Sequence, residues 1–586
     1  MRIAPAYRHF VFRLLTEGEN AMNWIYLVYF LLGALLFWGA KLAGKGEWNE
    51  EYTSLKQTKA LQGIMMLGVV LHHMAQKTCA SWQPVIYRVH GLDFFLPYGY
   101  LFVGVFFFCS GLGLYKSLQS KPDYLKGFCR RRILPIVIAF YLAEFIYTGA
   151  RLLTGEQMDL TRILWYLSGL HMANVNAWYV IVIPFFYLVF WLAFRVCKKH
   201  EGTAIFLVFL FTMAYTVLCA AVGHQNDWWI RGEWWYNSVL LFPIGLTFGK
   251  FEKGVTRFFR RGYWIWLVVF AAVVVLMFRH SEWVVNRRLG YYVSGSLGRR
   301  VGYSVLSALT QWLAALAFTA FCFLAMMKVK IGNKVLAWIG AMTLDIYLIH
   351  GLFVELFGYS FLDSGRKVLY IKDIAAYTAA VLGSSAAAAV LFRYLRKGVM
   401  ALPAWMKTAK QKRKDGEIYG KPFWKKPGTW VSACCLLLAV IGMVLLFRTD
   451  PGRVVGGLKV TPPEGYRQGY TDTRYQVWEY SGSDRKPGRL VLDEDIRGYN
   501  AEKFGNVESF MESCDWLDDI EIYVNPYGIR MVRGFSEDGS GYPDRRYYVE
   551  CDKNMFLLSM IEDSRYYDPQ DCEAVMQEVA DSIRRE

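Results

Sequence analysis

The chain is 586 residues long, 55% hydrophobic and 17% aromatic, with 66 Lys/Arg against 49 Asp/Glu. That composition excludes a soluble globular or disordered chain and points to repeated membrane crossing. The basic surplus does not mark a nucleic-acid binder: after Asp450 the chain carries 17 Lys/Arg and 27 Asp/Glu, so the excess lies in loops between the apolar windows that precede it.

Residues 1–21 are basic and amphipathic and precede a span with no small-residue cleavage site, which reads as an uncleaved first helix, with Met22 as an alternative start. Windows long enough to cross ~30 Å of hydrocarbon then recur at 24–43, 60–76, 98–115, 133–150, 177–196, 204–222, 236–249, 262–279, 303–327, 336–357, 373–394 and 428–447. They predict an all-α polytopic bundle of about 12 spans. The window 236–249 is the weakest, being short and holding Pro243 and Gly245. Lys/Arg-rich loops near 116–132, 195–199, 250–261, 328–334 and 393–426 fall on every second connection, which places them in the cytoplasm. The stretch 279–300 breaks that alternation with Arg287, Arg288, Arg299 and Arg300. Either one span is misread or the outer surface is basic and faces an anionic acceptor or lipid head groups.

Polar residues inside the spans carry the functional signal. Gln62 and His73 are eleven residues apart, about 20° past three full turns, so they share one helix face ~16 Å apart. Lys59 falls near that face and His72 does not. Ionisable groups within the membrane are costly and commonly line a cavity or substrate path, the alternative being a helix end with snorkelling side chains. Thr343, Tyr347 and His350 form a second polar stripe at i, i+4 and i+7, where His350 either acts chemically or bonds a neighbouring helix. No metal site is expected, because the adjacent His72 and His73 cannot make the i, i+4 pair that binds zinc on a helix. The eleven cysteines show no CxxC; Cys514, Cys551 and Cys572, beyond the last span, allow at most one internal disulfide.

Residues 395–427 read as a basic cytoplasmic linker and 428–447 as a linking helix, which puts 451–586 outside the cytoplasm. In that segment 489–493, 520–525, 529–535, 546–551 and 556–562 read as short strands, with turns at 525–528 and 552–554. Asp568 and Pro569 read as N-cap and first residue of a helix whose apolar face is Cys572, Val575, Met576, Val579 and Ile583. The expected unit is an α+β sheet with a covering helix, similar in element order to the PsbP/Mog1-like sandwich. His350 is the last histidine of the chain, so the domain has no Ser-His-Asp or Cys-His site and reads as non-catalytic, contacting cell-wall glycan or a partner protein.

Five segments in order carry a family resemblance. The span with Gln62-Gly63 and His73 resembles the first helix of the acyltransferase-3 family of membrane O-acyltransferases, which has an Arg-Gly start and a His eleven residues after the Arg. Gly104-Val105-Phe106-Phe107-Phe108-Cys109-Ser110-Gly111 is similar to its Gly-Val-x-Phe-Phe-x-x-Ser-Gly segment, and Arg132-Ile133-Leu134-Pro135 to the end of its basic loop. Ala177-Trp178-Tyr179 with Tyr187 resembles its Trp-Tyr helix, and the run from Trp338 through Thr343 and Tyr347 to His350 its late Tyr-Leu-x-His segment. The resemblance covers roughly 58–394, with ten spans, and leaves 1–57 as an extra span and connector. Gln62 stands where the family has Arg, and Cys129 where it has the first Arg of a pair; Lys59 and Arg130 or Arg131 are the available replacements.

The resemblance implies transfer of an acyl group, in particular acetyl from cytoplasmic acetyl-CoA, to a hydroxyl of a cell-surface or exported glycan in a bacterial plasma membrane. No cofactor is then bound permanently; acyl-CoA is a substrate. His73 is the expected base or acyl carrier, with His350 beside it and Tyr347 either donating to the oxyanion or satisfying packing and a hydrogen bond in the interior. Lys59, Gln62, Arg130, Arg131 and Arg132 are expected at the donor, the arginines gripping phosphate unless topology alone places them there. Ser110, Trp178 and Tyr179 are expected at the acceptor, with interfacial anchoring as the alternative for the two aromatics. A transporter, or a membrane sensor with an external binding domain, is the competing reading; internal repeats would favour a transporter, and the sequence shows none.

Overall fold

The computed structural model describes residues 24–414, apart from short segments at 84–86, 155, 157, 224–228, 294 and 363–366, and the elements named below within 453–585. The membrane part contains helices α1 Trp24–Phe37, α2 Leu55–Thr78, α3 Gly99–Ser120, α4 Leu134–Leu153, α5 Leu160–Ser168, α6 Trp178–Cys197 and α7 Glu201–Val222. It continues with α8 Leu241–Arg260, α9 Tyr263–Arg287, α10 Leu297–Lys328, α11 Lys334–Ala341, α12 Thr343–Leu356 and α13 Ile374–Lys414. Among the described residues seven helical segments are long and apolar enough to cross a membrane, or eight if α11 and α12 make one broken span.

Of the twelve expected windows, 428–447 lies outside the described residues, and four others differ from this picture. The first gives a helix of only 14 residues. The window 60–76 lengthens to α2, which Ser54 caps by accepting from the Gln57 N–H at 3.3 Å. With Lys59, Gln62, His72, His73, Gln76 and Lys77 along it, α2 is not an apolar rod facing lipid; its core residues are buried within the bundle. The window 236–249 becomes the front half of α8, whose far end is charged. Finally, 336–357 is two helices bent by 84°. At the bend the Arg393 guanidinium donates to the Ala341 carbonyl at 3.4 Å, and Arg396 grips the buried Asp345 carboxylate through two bonds of 2.8 and 3.0 Å.

Two close crossings set the bundle. A Cβ on Gly63 would lie 2.1 Å from the Leu336 carbonyl oxygen, and one on Gly340 would lie 1.7 Å from that of Lys59. So α2 and α11 meet backbone to backbone, the packing that small residues permit between membrane helices. Gly111 and Gly245 do the same for α3 and α8, each within 2.2 Å of a carbonyl oxygen by the same measure. At the base of α2, the Gln57 amide both donates to and accepts from the Ile331 backbone, at 2.9 and 2.8 Å. The two-residue strands β1 Lys41–Leu42 and β2 Val329–Lys330 pair beside it.

The C-terminal unit is a seven-stranded antiparallel sheet in the order β5-β6-β7-β11-β10-β9-β8. The expected strands appear as β7 Arg489–Glu494, β8 Asp518–Val524, β9 Arg530–Glu537, β10 Pro543–Cys551 and β11 Asn554–Ile561. The helix α15 Pro569–Ser582 starts at the expected proline; Asp568 lies outside the described residues. Its Val575, Met576 and Val579 pack with Trp478, Leu490, Leu492, Met531, Tyr547 and Val549 on one face. The alternate residues Val532 and Tyr548 meet Phe510 of the short helix α14 Val507–Glu512 on the other, as the two-residue period of strands requires. Sequence reading missed α14 and the strands β3 Arg453–Val455, β4 Leu458–Val460, β5 Tyr466–Thr471, β6 Tyr475–Tyr480 and β12 Arg584–Arg585. These strands are short or dominated by polar and tyrosine residues, so no apolar run announces them. Cys514 is buried.

Candidate active site

The crossing of α2 with α11, followed by the bend into α12, brings the two polar stripes together. The imidazole rings of His73 and His350 lie 5.2 Å apart between centroids. Each has one nitrogen committed. His350 Nδ1 donates to the carbonyls of Ile346 and Tyr347, at 3.1 and 2.9 Å, so Nε2 keeps its lone pair, and that atom is buried without a hydrogen-bond partner among the described residues. His73 Nδ1 lies 3.0 Å from Gln76 Oε1, an oxygen that can only accept, so the proton sits on Nδ1 and Nε2 is again basic. Two imidazoles, each with one nitrogen left to accept, therefore lie side by side, an arrangement suited to taking a proton from a substrate. His72 is different: its Nδ1 donates to the Phe95 carbonyl at 3.1 Å and its ring fills the space above Gly99.

From this pair a file of polar side chains runs toward the arginine end of the bundle. The Tyr347 ring is 5.9 Å from His350 and 5.7 Å from Tyr179, and the Tyr179 hydroxyl lies 3.3 Å from Ser110 Oγ. The Tyr347 hydroxyl is buried beside the histidines and makes no side-chain hydrogen bond among the described residues. Tyr187 reaches the Ser110 side chain and lies within electrostatic range of Arg132. Lys59 is within electrostatic range of the same arginine. Gln62 is buried on α2 between Lys59 and His73. Arg130 and Arg131 are exposed and Arg132 is half-buried, on a π-helical turn, Cys129–Ile133, that leads into α4. The Arg132 Nε donates to the Tyr124 hydroxyl at 3.0 Å and Arg131 to the Tyr124 carbonyl at 2.8 Å.

His73, His350, Tyr347, Tyr179 and Ser110 are thus brought together, and Lys59 with Arg132 closes the other end. Trp178 is placed differently from an interfacial anchor: it is buried, with its ring 6.5 Å from that of Trp235 and 6.1 Å from that of Tyr179.

Sequence reading missed a second buried polar group around α12. The Glu144 carboxylate accepts the N–H groups of Ala173 and Asn174 at 2.6 and 3.3 Å, and the Asn174 amide donates to the Leu348 carbonyl at 2.9 Å. Arg151, fully buried, pairs with Glu156 at 2.8 Å and donates to the Ala173 carbonyl. A Cβ on Gly351, next to His350, would come within 2.9 Å of the Tyr147 hydroxyl and the Asn176 amide. Lys77, one turn beyond His73, pairs with Glu355 at 2.6 Å. The signal was present in Glu144, Thr148 and Arg151, polar residues at i, i+4 and i+7 of an apolar window. Among the described residues no group of three His, Cys, Asp or Glu could hold a metal ion.

The family model described as an acyltransferase domain, of the acyltransferase-3 type, matches residues 57–393. No curated protein and no solved structure matches the chain.

Proposed function

The chain belongs to the acyltransferase-3 family, a membrane acyltransferase with several apolar helices, and from that premise we propose that it moves an acyl group, in particular acetyl, from cytoplasmic acyl-CoA to a hydroxyl of a cell-surface or exported glycan. The observation that carries this reading is the pair of imidazoles, His73 and the buried His350, with ring centroids 5.2 Å apart at one end of a polar file whose other end is Lys59 and Arg132.

In the proposed reaction His73 Nε2 takes the proton from the acceptor hydroxyl as its oxygen attacks the thioester carbonyl. The C–O bond forms, the C–S bond breaks, and the leaving thiolate receives the proton from the imidazolium. Such proton transfer by a positioned side chain contributes on the order of 10²–10⁴-fold. Tyr347 donates to the carbonyl oxygen as charge develops on it, and His350 lies against the imidazolium as a second acceptor. Lys59, Gln62 and Arg130–Arg132 face the donor; Ser110, Tyr179 and Trp178 line the way between donor and acceptor. In this reading the arginine end is cytoplasmic, the histidine end faces outward across the plasma membrane, and 451–586 lies outside as a non-catalytic unit contacting cell wall or a partner protein.

The test is acyl transfer. Membranes holding the wild type and His73→Ala are incubated with labelled acetyl-CoA and the surface polymers are compared. Label on polymer that depends on His73 supports the reading; equal labelling from both membranes sinks it.

A further inference from the structure

A cavity opens at the arginine end. About 430 Å³ in volume, it lies between the ends of α3 and α6 and the start of α7, with Leu118 and Phe194 as apolar walls and Gln119, Arg195, Lys198 and Glu201 as polar ones. That volume falls within the range of small-molecule sites. The cavity adjoins the arginine turn through one short loop. Its wall residue Leu125 is held by Trp191, whose Nε1 donates to the Leu125 carbonyl at 3.0 Å, and the preceding residue, Tyr124, accepts from both Arg131 and Arg132.

Its lining carries two cations and one carboxylate. The Glu201 carboxylate is already engaged, accepting from the Tyr115 hydroxyl at 2.8 Å and the Gln119 amide at 2.6 Å, with Lys250 at 3.9 Å. Arg195 lies over the Trp191 ring at 5.1 Å, and neither it nor Lys198 has a carboxylate partner among the described residues. A cavity with apolar walls, two cations that no carboxylate pairs with among the described residues, and three more arginines beside it suits an aromatic base carrying phosphates.

We infer that this cavity holds the nucleotide end of the acyl donor, a nucleoside 3′,5′-bisphosphate, with Arg195 and Lys198 on its phosphates. The inference rests on acyl-CoA being the donor. The distance fits a thioester delivered to the histidines: Phe194 and Tyr179 lie on the same helix, fifteen residues or ~22 Å apart, and Tyr179 belongs to the ring cluster that ends at His350. The pantetheine arm then runs beside Arg132, Tyr187 and Ser110, while the phosphates stay in water at the mouth.

Binding separates this from the donor reading. Full-length protein in lipid nanodiscs is titrated with CoA and with adenosine 3′,5′-bisphosphate, which has no thiol and no pantetheine. The wild type should bind both, competitively. Arg195→Ala/Lys198→Ala should raise both Kd values about tenfold or more, whereas Arg287→Ala/Arg288→Ala, the same charge loss at the far end of α9, should leave them unchanged. The single change Lys198→Gln should give a smaller shift in the same direction without disturbing the fold. If the wild type binds CoA and the cavity variants bind it equally well, or if both double variants weaken it alike, the assignment of this cavity is overturned and the donor reading stands. If the wild type binds neither CoA nor the bisphosphate, the donor reading itself fails and this inference with it.

Discussion

Gly63 and Gly340 meet with no side chain between their helices, and each stands ten residues ahead of one histidine of the pair, His73 and His350. The crossing therefore acts as the joint that sets the 5.2 Å separation of the rings. A methyl on Gly340 would fall 1.7 Å from a backbone carbonyl, which no rotamer change relieves, so α11 must move and carry the bend with it. Misplacement by about 1 Å can cost on the order of 100-fold in rate. Gly340→Ala is expected to lose about that much acyl transfer while the protein remains folded. Wild-type turnover from a folded Gly340→Ala protein would show that the crossing does not set the site.

The histidines should behave as one unit. His73→Ala is expected to lower turnover by ~10²–10⁴-fold, and His73→Ala/His350→Ala to be little worse than the single variant, because groups acting together are not additive. Multiplicative losses in single-turnover assays would mean that the two rings serve separate steps.

Asp345 is buried at the bend and bonded twice by Arg396. Removing one partner of a buried pair leaves an uncompensated charge and costs about 3–5 kcal/mol. Arg396→Ala should lower the unfolding midpoint in detergent, and Asp345→Asn/Arg396→Ala should recover part of the loss. An unchanged midpoint in Arg396→Ala would assign the pair no part in holding the bend.

The connection between α2 and α3 should loosen in acid. Burial pushes the Asp93 carboxyl up, but hydrogen bonds from His90 and from the Gly91 N–H hold it below the ordinary carboxylate range. A depressed carboxylate stabilises the fold above its unfolded pKa, and the contribution disappears as pH falls through the folded value. The Gly91 carbonyl also receives the Tyr29 hydroxyl at 2.7 Å, which docks α1. Gly91 amide exchange, corrected for its intrinsic pH dependence, should therefore quicken on acidification through that value and be fast at every pH in Asp93→Ala. A flat profile in the wild type would count against the carboxylate as the latch.

Much of this was legible along the chain. The apolar windows announced the bundle, and the spacing of Gln62 from His73 and of Thr343 from Tyr347 and His350 placed each polar stripe, because periodicity reports which face of its own helix a residue occupies. In the C-terminal unit β7–β11 were readable from their apolar alternation, while β5 and β6, rich in tyrosine, arginine and glutamine, were not.

Which faces meet was left to the tertiary structure. In a membrane, lipid and protein are both apolar, so hydropathy does not distinguish a helix such as α2, enclosed by others, from one facing lipid. The bend at Met342 arises from Arg393 and Arg396, about fifty residues further on, and the partners of Glu144 lie on a loop and on α12. Sequence alone therefore determined the kinds of helix and strand and the residues able to do chemistry. The backbone contacts of Gly63 and Gly340 and the ion pairs across the bend decided that His73 would face His350, because those contacts join segments that no local pattern relates.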